Sequence, residues 1–221
     1  MNGLVLAGGE SLRMGQAKAL LQYQEKAQFF CAIELLSLFC EQVYLSCRKE
    51  QEGLFIAAGY TGEFVFDQSE LGAIGPLNAL LSAFKTDHQD WLVLGCDYPL
   101  INNDDITQLI TLHKPAYLST VFQHPETGFE EPLIGIYSAQ AEPFLWSWLQ
   151  SGNQSLRFFL KEHKVQLLQP KNPLHLQSAD TPADFRRLKS VVDNEKQSDE
   201  ICSNSKIYYP RGTNRRRFPS R

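Results

Sequence analysis

The residues with the clearest potential for chemistry lie in a loop after the first short apolar run. Residues 6–21 read LAGGESLRMGQAKALL. They combine three glycines, a hydroxyl and two basic side chains: Gly8, Gly9, Gly15, Ser11, Arg13 and Lys18. Glycines let backbone N–H groups approach a ligand closely and cations offset its charge, so the pattern predicts a polyphosphate-binding loop. A glycine-rich turn with solvated charges is the plain alternative, and neither the Walker A nor the dinucleotide-binding signature is present.

Two further stretches carry carboxylates at the ends of apolar runs. Asp97 follows the run 91–96, and Asp67 follows the run 63–66, ahead of a Gly-Pro step that opens a predicted helix. Open α/β sheets bind ligands at the carboxyl ends of their strands, and a hard carboxylate there suits Mg²⁺. Asp97 is therefore the predicted metal ligand. The alternative is a turn residue placed before Pro99.

The elements that must position these residues alternate along the chain. Short apolar runs and amphipathic segments follow one another, which is typical of βαβ units on a parallel sheet. Strands are predicted at residues 3–7, 42–46, 63–66, 91–96, 116–122, 132–137 and 164–168. Helices are predicted at residues 27–39, 76–84 and 139–149, with another that Asn102 or Asn103 caps and that reaches His113.

Length and composition exclude several classes of protein. The chain has 221 residues, is 43% hydrophobic and 21% charged, and its longest apolar run is too short to span a bilayer. The N-terminus has no signal-peptide pattern, and the five cysteines include no C-x-x-C pair. These features predict a soluble cytoplasmic protein with reduced thiols and no membrane partner.

The charge divides the chain into a body and a tail. Residues 190–221 hold seven Lys or Arg and four Asp or Glu, which leaves residues 1–189 with 14 basic and 21 acidic residues, a net charge of −7. We expect a single domain at 1–189 and a flexible, disordered basic tail at 190–221. Arg215, Arg216 and Arg217 could contact nucleic acid, but a solvated tail is the favoured interpretation and we expect no nucleic-acid partner.

Together, these stretches resemble the nucleotidyltransferases with a Rossmann-like fold, and within them the molybdenum cofactor guanylyltransferases. Residues 6–21 meet every fixed position of the family's opening pattern, L-A-G-G-x-S-x-R-M-G-x-x-K-x-L-L. Asp67 with residues 75–79, and residues 96–99, meet two further motifs. The resemblance covers residues 3–189. It implies an α/β three-layer sandwich with a mostly parallel, twisted sheet of the nucleotidyltransferase type.

The resemblance also implies an activity and a set of residues. The reaction would be Mg²⁺-dependent transfer of GMP from GTP to the terminal phosphate of molybdopterin, with release of pyrophosphate. Protein partners would be molybdoenzymes or other proteins of molybdenum cofactor biosynthesis. Arg13, Lys18 and Asp97 would be catalytic, with Asp97 on the metal. The nucleotide-binding residues would be Leu6, Ala7, Gly8, Gly9, Lys18, Asp67 and Asp97.

The sequence departs from the family pattern at three places. Residues 24–28 lack the usual G-x-P turn, residues 45–48 lack an asparagine, and the final N-x-N-T-P motif has Ser178 and Asp180 in place of its asparagines. Asp180 could be a second carboxylate near the metal. The favoured alternative is an ordinary helix start, with Thr181 as N-cap and Pro182 as first helical residue.

Other functions stay open at this stage. Gly8 modestly favours guanine, because the related cytidylyltransferases typically open with L-A-A-G. The alternatives are a molybdopterin cytidylyltransferase, another small-molecule nucleotidyltransferase, or a nucleotide-binding partner protein without catalytic activity. Residues 130–134 and Arg157 are candidates for the acceptor side, although a lone helical arginine is more often a solvated residue.

Overall fold

The computed structural model describes residues 1–9 and 18–204, with side chains as far as residue 194. Seven strands form one sheet in the order β3-β2-β1-β4-β6-β5-β7. The strands are β1 Asn2–Leu6, β2 Val43–Cys47, β3 Glu63–Phe66, β4 Trp91–Gly95, β5 Ser119–Gln123, β6 Glu130–Tyr137 and β7 Gln166–Leu168. All seven predicted strands are present, and the mostly parallel α/β sheet is confirmed.

One strand runs against the others. β6 pairs antiparallel with β4 on one side and with β5 on the other, whereas the remaining pairs are parallel. Leu94, near the end of β4, faces Ile134 of β6, so the first residues of β6 extend past the carboxyl end of β4. The antiparallel strand therefore brings its amino end to the edge of the sheet where the parallel strands finish.

In the part of the chain that the structure describes, seven α-helices connect and cover the strands. They are α1 Gln28–Ser37, α2 Glu52–Ala57, α3 Pro76–Thr86, α4 Asn103–Leu112, α5 Glu142–Gln150, α6 Leu156–Glu162 and α7 Pro182–Asn204. The predicted cap of α4 is confirmed, since Asn102 accepts hydrogen bonds from the backbone N–H groups of Asp104 and Asp105. The short helices α2 and α6 were not among the predicted elements, because six or seven residues give little periodic signal.

Two apolar cores lie on opposite faces of the sheet. Phe29, Leu36 and Leu109, from α1 and α4, are fully buried on one face. Leu77, Phe84 and Phe159, from α3 and α6, are buried at 2% exposure or less on the other. The sheet is thus the middle layer of a three-layer sandwich, as predicted.

The structure corrects the predicted boundary after residue 189. That boundary falls inside α7, and Leu188 and Val192 of this helix are 0% and 4% exposed in a small cluster with Tyr23 and Leu100. Their spacing of four residues puts both on one helical face. The start of the basic segment is thus packed helix rather than flexible chain. The remainder of the predicted tail, residues 205–221, lies outside the described residues.

No helix in the described part of the chain combines the length and the apolar character needed to cross a membrane.

Candidate active site

A cleft of about 200 Å³ opens where β1 and β4 end, next to the loop after β3. Every predicted site residue within the described ranges lines it: Leu6, Ala7, Gly8, Gly9, Lys18, Asp67 and Asp97. Arg13, the remaining predicted catalytic residue, lies outside the described residues. The fold thus gathers side chains that are up to 91 positions apart in sequence at one edge of the sheet.

Backbone hydrogen bonds between neighbouring parallel strands continue into the loops that follow them. The Ala7 N–H donates to the Ser46 carbonyl at 2.9 Å, and the Asp67 N–H donates to the Cys47 carbonyl at 3.1 Å. On the other side of β1, the Cys96 N–H donates to the Leu6 carbonyl at 3.1 Å. These bonds fix the loops after β1, β2, β3 and β4 relative to one another, so Asp67 and Asp97 flank the end of β1.

The glycines of the first loop have different structural roles. A Cβ atom at Gly8 would lie 3.3 Å from the Cα of Cys47 and 3.6 Å from the backbone N of Arg48. At Gly9, no described atom lies within 4 Å of the corresponding position. A side chain at position 8 would therefore crowd the backbone at the end of β2, whereas no described atom would crowd one at position 9.

The loop after β3 is held by an asparagine to which the sequence analysis gave no role. Asn78, 2% exposed, accepts a hydrogen bond from the Gln68 N–H at 2.7 Å and donates to the carbonyls of Gln68 and Gly72 at 2.9 and 3.0 Å. Gly75 has a φ of 63°, a conformation that favours glycine, and it directly precedes α3. The sequence did contain a signal for this role, because Asn78 is the one polar residue of the run LNAL at residues 77–80.

Burial governs the electrostatics of Asp67. Loss of solvent raises the pKa of this carboxyl, while the nearby Arg48 guanidinium acts in the opposite direction. Ser46, 2% exposed at the end of β2, also lines the cleft and was not predicted. Asp67 and Ser46 form a polar patch on the β3 side of the cleft.

Lys18 lies between two carboxylates. Its Nζ is 2.5 Å from Oδ1 of Asp180 and 3.6 Å from Oδ2 of Asp97. Burial raises the pKa of Asp97, although Lys18 opposes the shift. The hydrogen bond from Lys18 lowers the pKa of Asp180. Burial alone would lower the pKa of Lys18, but the interactions with Asp180 and Asp97 outweigh it and the pKa is raised.

Asp180 directly precedes a helix start of the kind the sequence predicted. The Asp184 N–H donates to Oγ1 of Thr181 at 3.2 Å, and the Thr181 N–H donates to Oδ2 of Asp184 at 3.0 Å, which is a capping box. The Ala179 N–H donates to the Asp97 carbonyl at 3.0 Å. The segment is both an ordinary helix start and a source of a second carboxylate at the cleft, so the two interpretations of the sequence are compatible.

The opposite side of the cleft is built from side chains on β6. Leu133 lines the cleft, and the Tyr98 hydroxyl donates a hydrogen bond to the Glu131 carboxylate. Burial raises the pKa of Glu131. Arg157 donates from Nε to the Glu130 carbonyl at 3.3 Å, and its guanidinium lies 5.3 Å from the ring centroid of Phe129. Arg157 is thus packed against the start of β6.

The donor groups at the cleft are carboxylates, together with the buried thiol of Cys96. Asp97 and Asp180 offer carboxylates, whereas no described residue that lines the cleft is a histidine. Among the described residues, no group of three or more His, Cys, Asp or Glu side chains is arranged to hold a metal by itself. Any metal ion at this position would therefore take part of its coordination from a bound ligand or from water.

Comparison with known proteins decides the family. Residues 3–167 match the family described as the MobA-like NTP transferase domain. The chain belongs to this family. It is a nucleotidyltransferase, and the glycine-rich loop, Asp67 and Asp97 all fall within the matched residues.

Individual family members extend the match beyond residue 167. A probable molybdenum cofactor guanylyltransferase of Synechococcus elongatus is 30% identical over 190 residues, which are 84% of this chain and 96% of that protein. A molybdenum cofactor biosynthesis bifunctional protein of Synechocystis is 30% identical over 188 residues. The chain spans 53% of the length of the bifunctional protein.

A solved structure has the same fold. The molybdopterin-guanine dinucleotide biosynthesis protein A from Archaeoglobus fulgidus superimposes with a TM-score of 0.73 at 21% identity, covering 88% of this chain and all of that one. The two chains therefore share one overall fold.

Proposed function

We propose that this nucleotidyltransferase transfers GMP from GTP to the terminal phosphate of molybdopterin, releasing pyrophosphate and forming a molybdopterin guanine dinucleotide. The observation that carries the proposal is the position of Lys18 between two carboxylates in a cleft lined by glycine-rich backbone. The relative from Synechococcus elongatus, named as a guanylyltransferase for the molybdenum cofactor, supports the choice of substrates.

The nucleotide would bind on the β1–β3 side of the cleft. The backbone of Leu6, Ala7, Gly8 and Gly9 would contact the base, ribose and phosphates, and Asp67 would accept hydrogen bonds from the nucleoside. Lys18 would neutralise phosphate charge, together with Arg13. The close approach at Gly8 supports this arrangement, because backbone N–H groups reach a ligand best where side chains are missing.

The reaction needs no strong general base. The second pKa of a phosphate monoester is about 6, so the acceptor phosphate is already ionised at neutral pH. One of its oxygens would attack the α-phosphorus of GTP, and the bond from that phosphorus to the bridging oxygen of the β-phosphate would break. Pyrophosphate leaves with the electron pair. A cleft lined by carboxylates and a lysine, with no histidine among its described lining, agrees with catalysis by positioning and charge neutralisation.

Mg²⁺ is the cofactor that fits the donor set. Mg²⁺ prefers oxygen ligands and commonly takes one or two carboxylates together with substrate phosphates, and Asp97 with Asp180 supplies this combination. Bound there, Mg²⁺ would neutralise the charge that develops on the phosphate oxygens. Asp97 is the principal proposed ligand, because it lies directly at the end of β4.

The proposed partners follow from the reaction. GTP and molybdopterin would be the substrates, and proteins that accept the product cofactor, or that act elsewhere in molybdenum cofactor biosynthesis, would be the protein partners. The match to a bifunctional protein of molybdenum cofactor biosynthesis supports a place in that process.

The decisive experiment is a pyrophosphate-release assay with molybdopterin and each of GTP, CTP, UTP and ATP in the presence of Mg²⁺. We expect release with GTP and at most weak release with the other nucleotides. Thermal-shift titration with the same nucleotides measures binding separately from turnover. Faster release with CTP would replace guanine by cytosine in the proposal, and nucleotide binding without release would favour a non-catalytic partner protein.

A further inference from the structure

The ion pairs of Lys18 join three separate parts of the chain. Lys18 follows the first loop, Asp97 follows β4, and Asp180 precedes α7. The Lys18 and Asp97 side chains are mostly buried, at 22% and 19% exposure, whereas that of Asp180 is 59% exposed. The contact to Asp180 is the shorter one, at 2.5 Å against 3.6 Å. The more accessible carboxylate thus holds the ammonium group more closely.

Local structure fixes Asp180 in this position. Ser178 donates from its hydroxyl to Oδ2 of Asp180 at 3.2 Å, and the next residue, Thr181, begins the capping box of α7. The hydrogen bond from Ala179 to the Asp97 carbonyl ties the same segment to the end of β4. The carboxylate therefore faces Lys18 from a segment that is anchored on both sides.

Among the described residues that line the cleft, negative charges outnumber positive ones. Lys18 is the one cation among the described lining residues, and its charge is already balanced by Asp180. Asp97 and Asp67 add further negative charge. A free triphosphate would have to displace Asp180 from Lys18 and would then face an unpaired carboxylate. A triphosphate that carries a divalent cation is less anionic and brings a positive charge toward which that carboxylate is attracted.

We propose that Asp180 is a specificity-determining residue that makes the cleft select the triphosphate with a bound divalent cation over the free triphosphate. It does so by competing with the free triphosphate for the ammonium group of Lys18. The inference rests on the proposed function only in that the ligand is a nucleoside triphosphate. It is independent of which base or acceptor the enzyme uses.

Asp180→Asn tests the proposal, because the amide keeps the size of the side chain and removes the charge. Isothermal titration of the full chain with GTP, once with Mg²⁺ and once with EDTA, gives two dissociation constants. The ratio used below is the dissociation constant of free GTP divided by that of Mg·GTP. We expect free GTP to bind the variant about tenfold more tightly than the wild type, which is about 1.4 kcal/mol, while Mg·GTP binds no more tightly. Unchanged affinity for free GTP, or an equal gain for both forms, would overturn the proposal.

Glu41→Gln is the matched control. Glu41 forms an ion pair with the terminal amine at 3.5 Å, lies before β2 at the other edge of the sheet and is 85% exposed. This variant removes the same charge far from the cleft, so the ratio should equal that of the wild type. A fall in the ratio as large as that of Asp180→Asn would assign the effect to total charge and overturn the proposal.

A second ligand separates this inference from the proposed function. Inorganic tripolyphosphate carries the charge of the triphosphate without a base, and it is titrated with and without Mg²⁺ in the same way. If Mg·GTP fails to bind either chain, the choice of GTP is wrong. The proposed selection by Asp180 is then supported if the ratio for tripolyphosphate is lower in Asp180→Asn than in the wild type. An equal ratio in the two chains would overturn it.

Discussion

The two sides of the cleft are built in different ways. On the nucleotide side, the ends of parallel strands β1, β2 and β3 are linked by backbone hydrogen bonds, and Gly8 allows their close approach. On the β6 side, which we propose as the acceptor side, Leu133 of the antiparallel strand lines the cleft, Glu131 lies two residues before it, and Arg157 of α6 donates to the Glu130 carbonyl. A site made of backbone leaves a continuous sequence motif, because glycines must occupy fixed positions. A site made of side chains from several elements leaves scattered residues.

The difference has a consequence for function. Backbone N–H groups recognise phosphate in any nucleotide, so the nucleotide side is suited to a common ligand. Recognition of the acceptor would instead depend on individual side chains, which can differ between proteins that share a fold. Asp97, at the end of β4, lies between the two sides.

The largest expected effect is at Asp97. Asp97→Asn keeps the shape of the side chain but removes its negative charge, which we propose holds Mg²⁺ at the reacting phosphate. Turnover should therefore fall on the order of 10²–10³-fold. Pyrophosphate release measures the loss, and a thermal melt within a few degrees of the wild type shows that the fold survives. Turnover close to that of the wild type would remove Asp97 from the catalytic machinery.

Asn78→Ala should disturb only the nucleotide side. The change removes three buried hydrogen bonds to the loop after β3, which should cost about 1–3 kcal/mol of unfolding free energy. The KM for GTP should rise while the KM for the acceptor stays the same, because the loop after β3 borders the side of the cleft where we propose that the nucleotide binds. Equal changes in both KM values would contradict the independence of the two sides.

The glycines of the first loop test whether backbone approach shapes the nucleotide side. Gly8→Ala forces a methyl group to 3.3 Å from the Cα of Cys47 and should cost about 1–3 kcal/mol in a chemical denaturation experiment. Gly9→Ala is the matched control, since nothing described lies within 4 Å, and it should change stability by less than about 0.5 kcal/mol. Equal destabilisation in the two variants would show that local packing is not the reason for glycine at position 8.

Glu131→Gln should give the smallest effect, on the acceptor side. Burial raises the pKa of Glu131 above its unfolded value, so the folded chain loses stability as the pH rises above the unfolded pKa, and the loss is complete above the folded pKa. The glutamine still accepts a hydrogen bond from Tyr98. Melting temperatures should therefore be higher than those of the wild type at pH 7, with the difference disappearing as the pH falls below the unfolded pKa of about 4.3. A lower melting temperature at pH 7 would mean that the contacts of the charge outweigh its burial.

The sequence predicted the parallel part of the fold more fully than the rest. Residues 63–66 match β3 to the residue, and the cap at Asn102 is where the pattern indicated it. The start of β5 was predicted three residues early, because the turn at residues 114–117 continues the polar and aromatic pattern of the strand. The start of α7 was predicted, but its packed continuation past residue 189 was missed, because Val192 is the one residue of the buried cluster beyond that point and lies in a largely polar segment.

The amino-acid sequence by itself determined the nucleotide side of this protein. Glycine spacing, strand-end aspartates and a lysine at a fixed distance are local features, and a parallel sheet brings strand ends together wherever such units repeat. Only the tertiary structure decided that Asp180 would meet Lys18 across 162 positions of sequence, and that Glu131 would lie beside Tyr98. Contacts between distant segments depend on how α7 and β6 pack, and packing arises from the whole core rather than from any single motif.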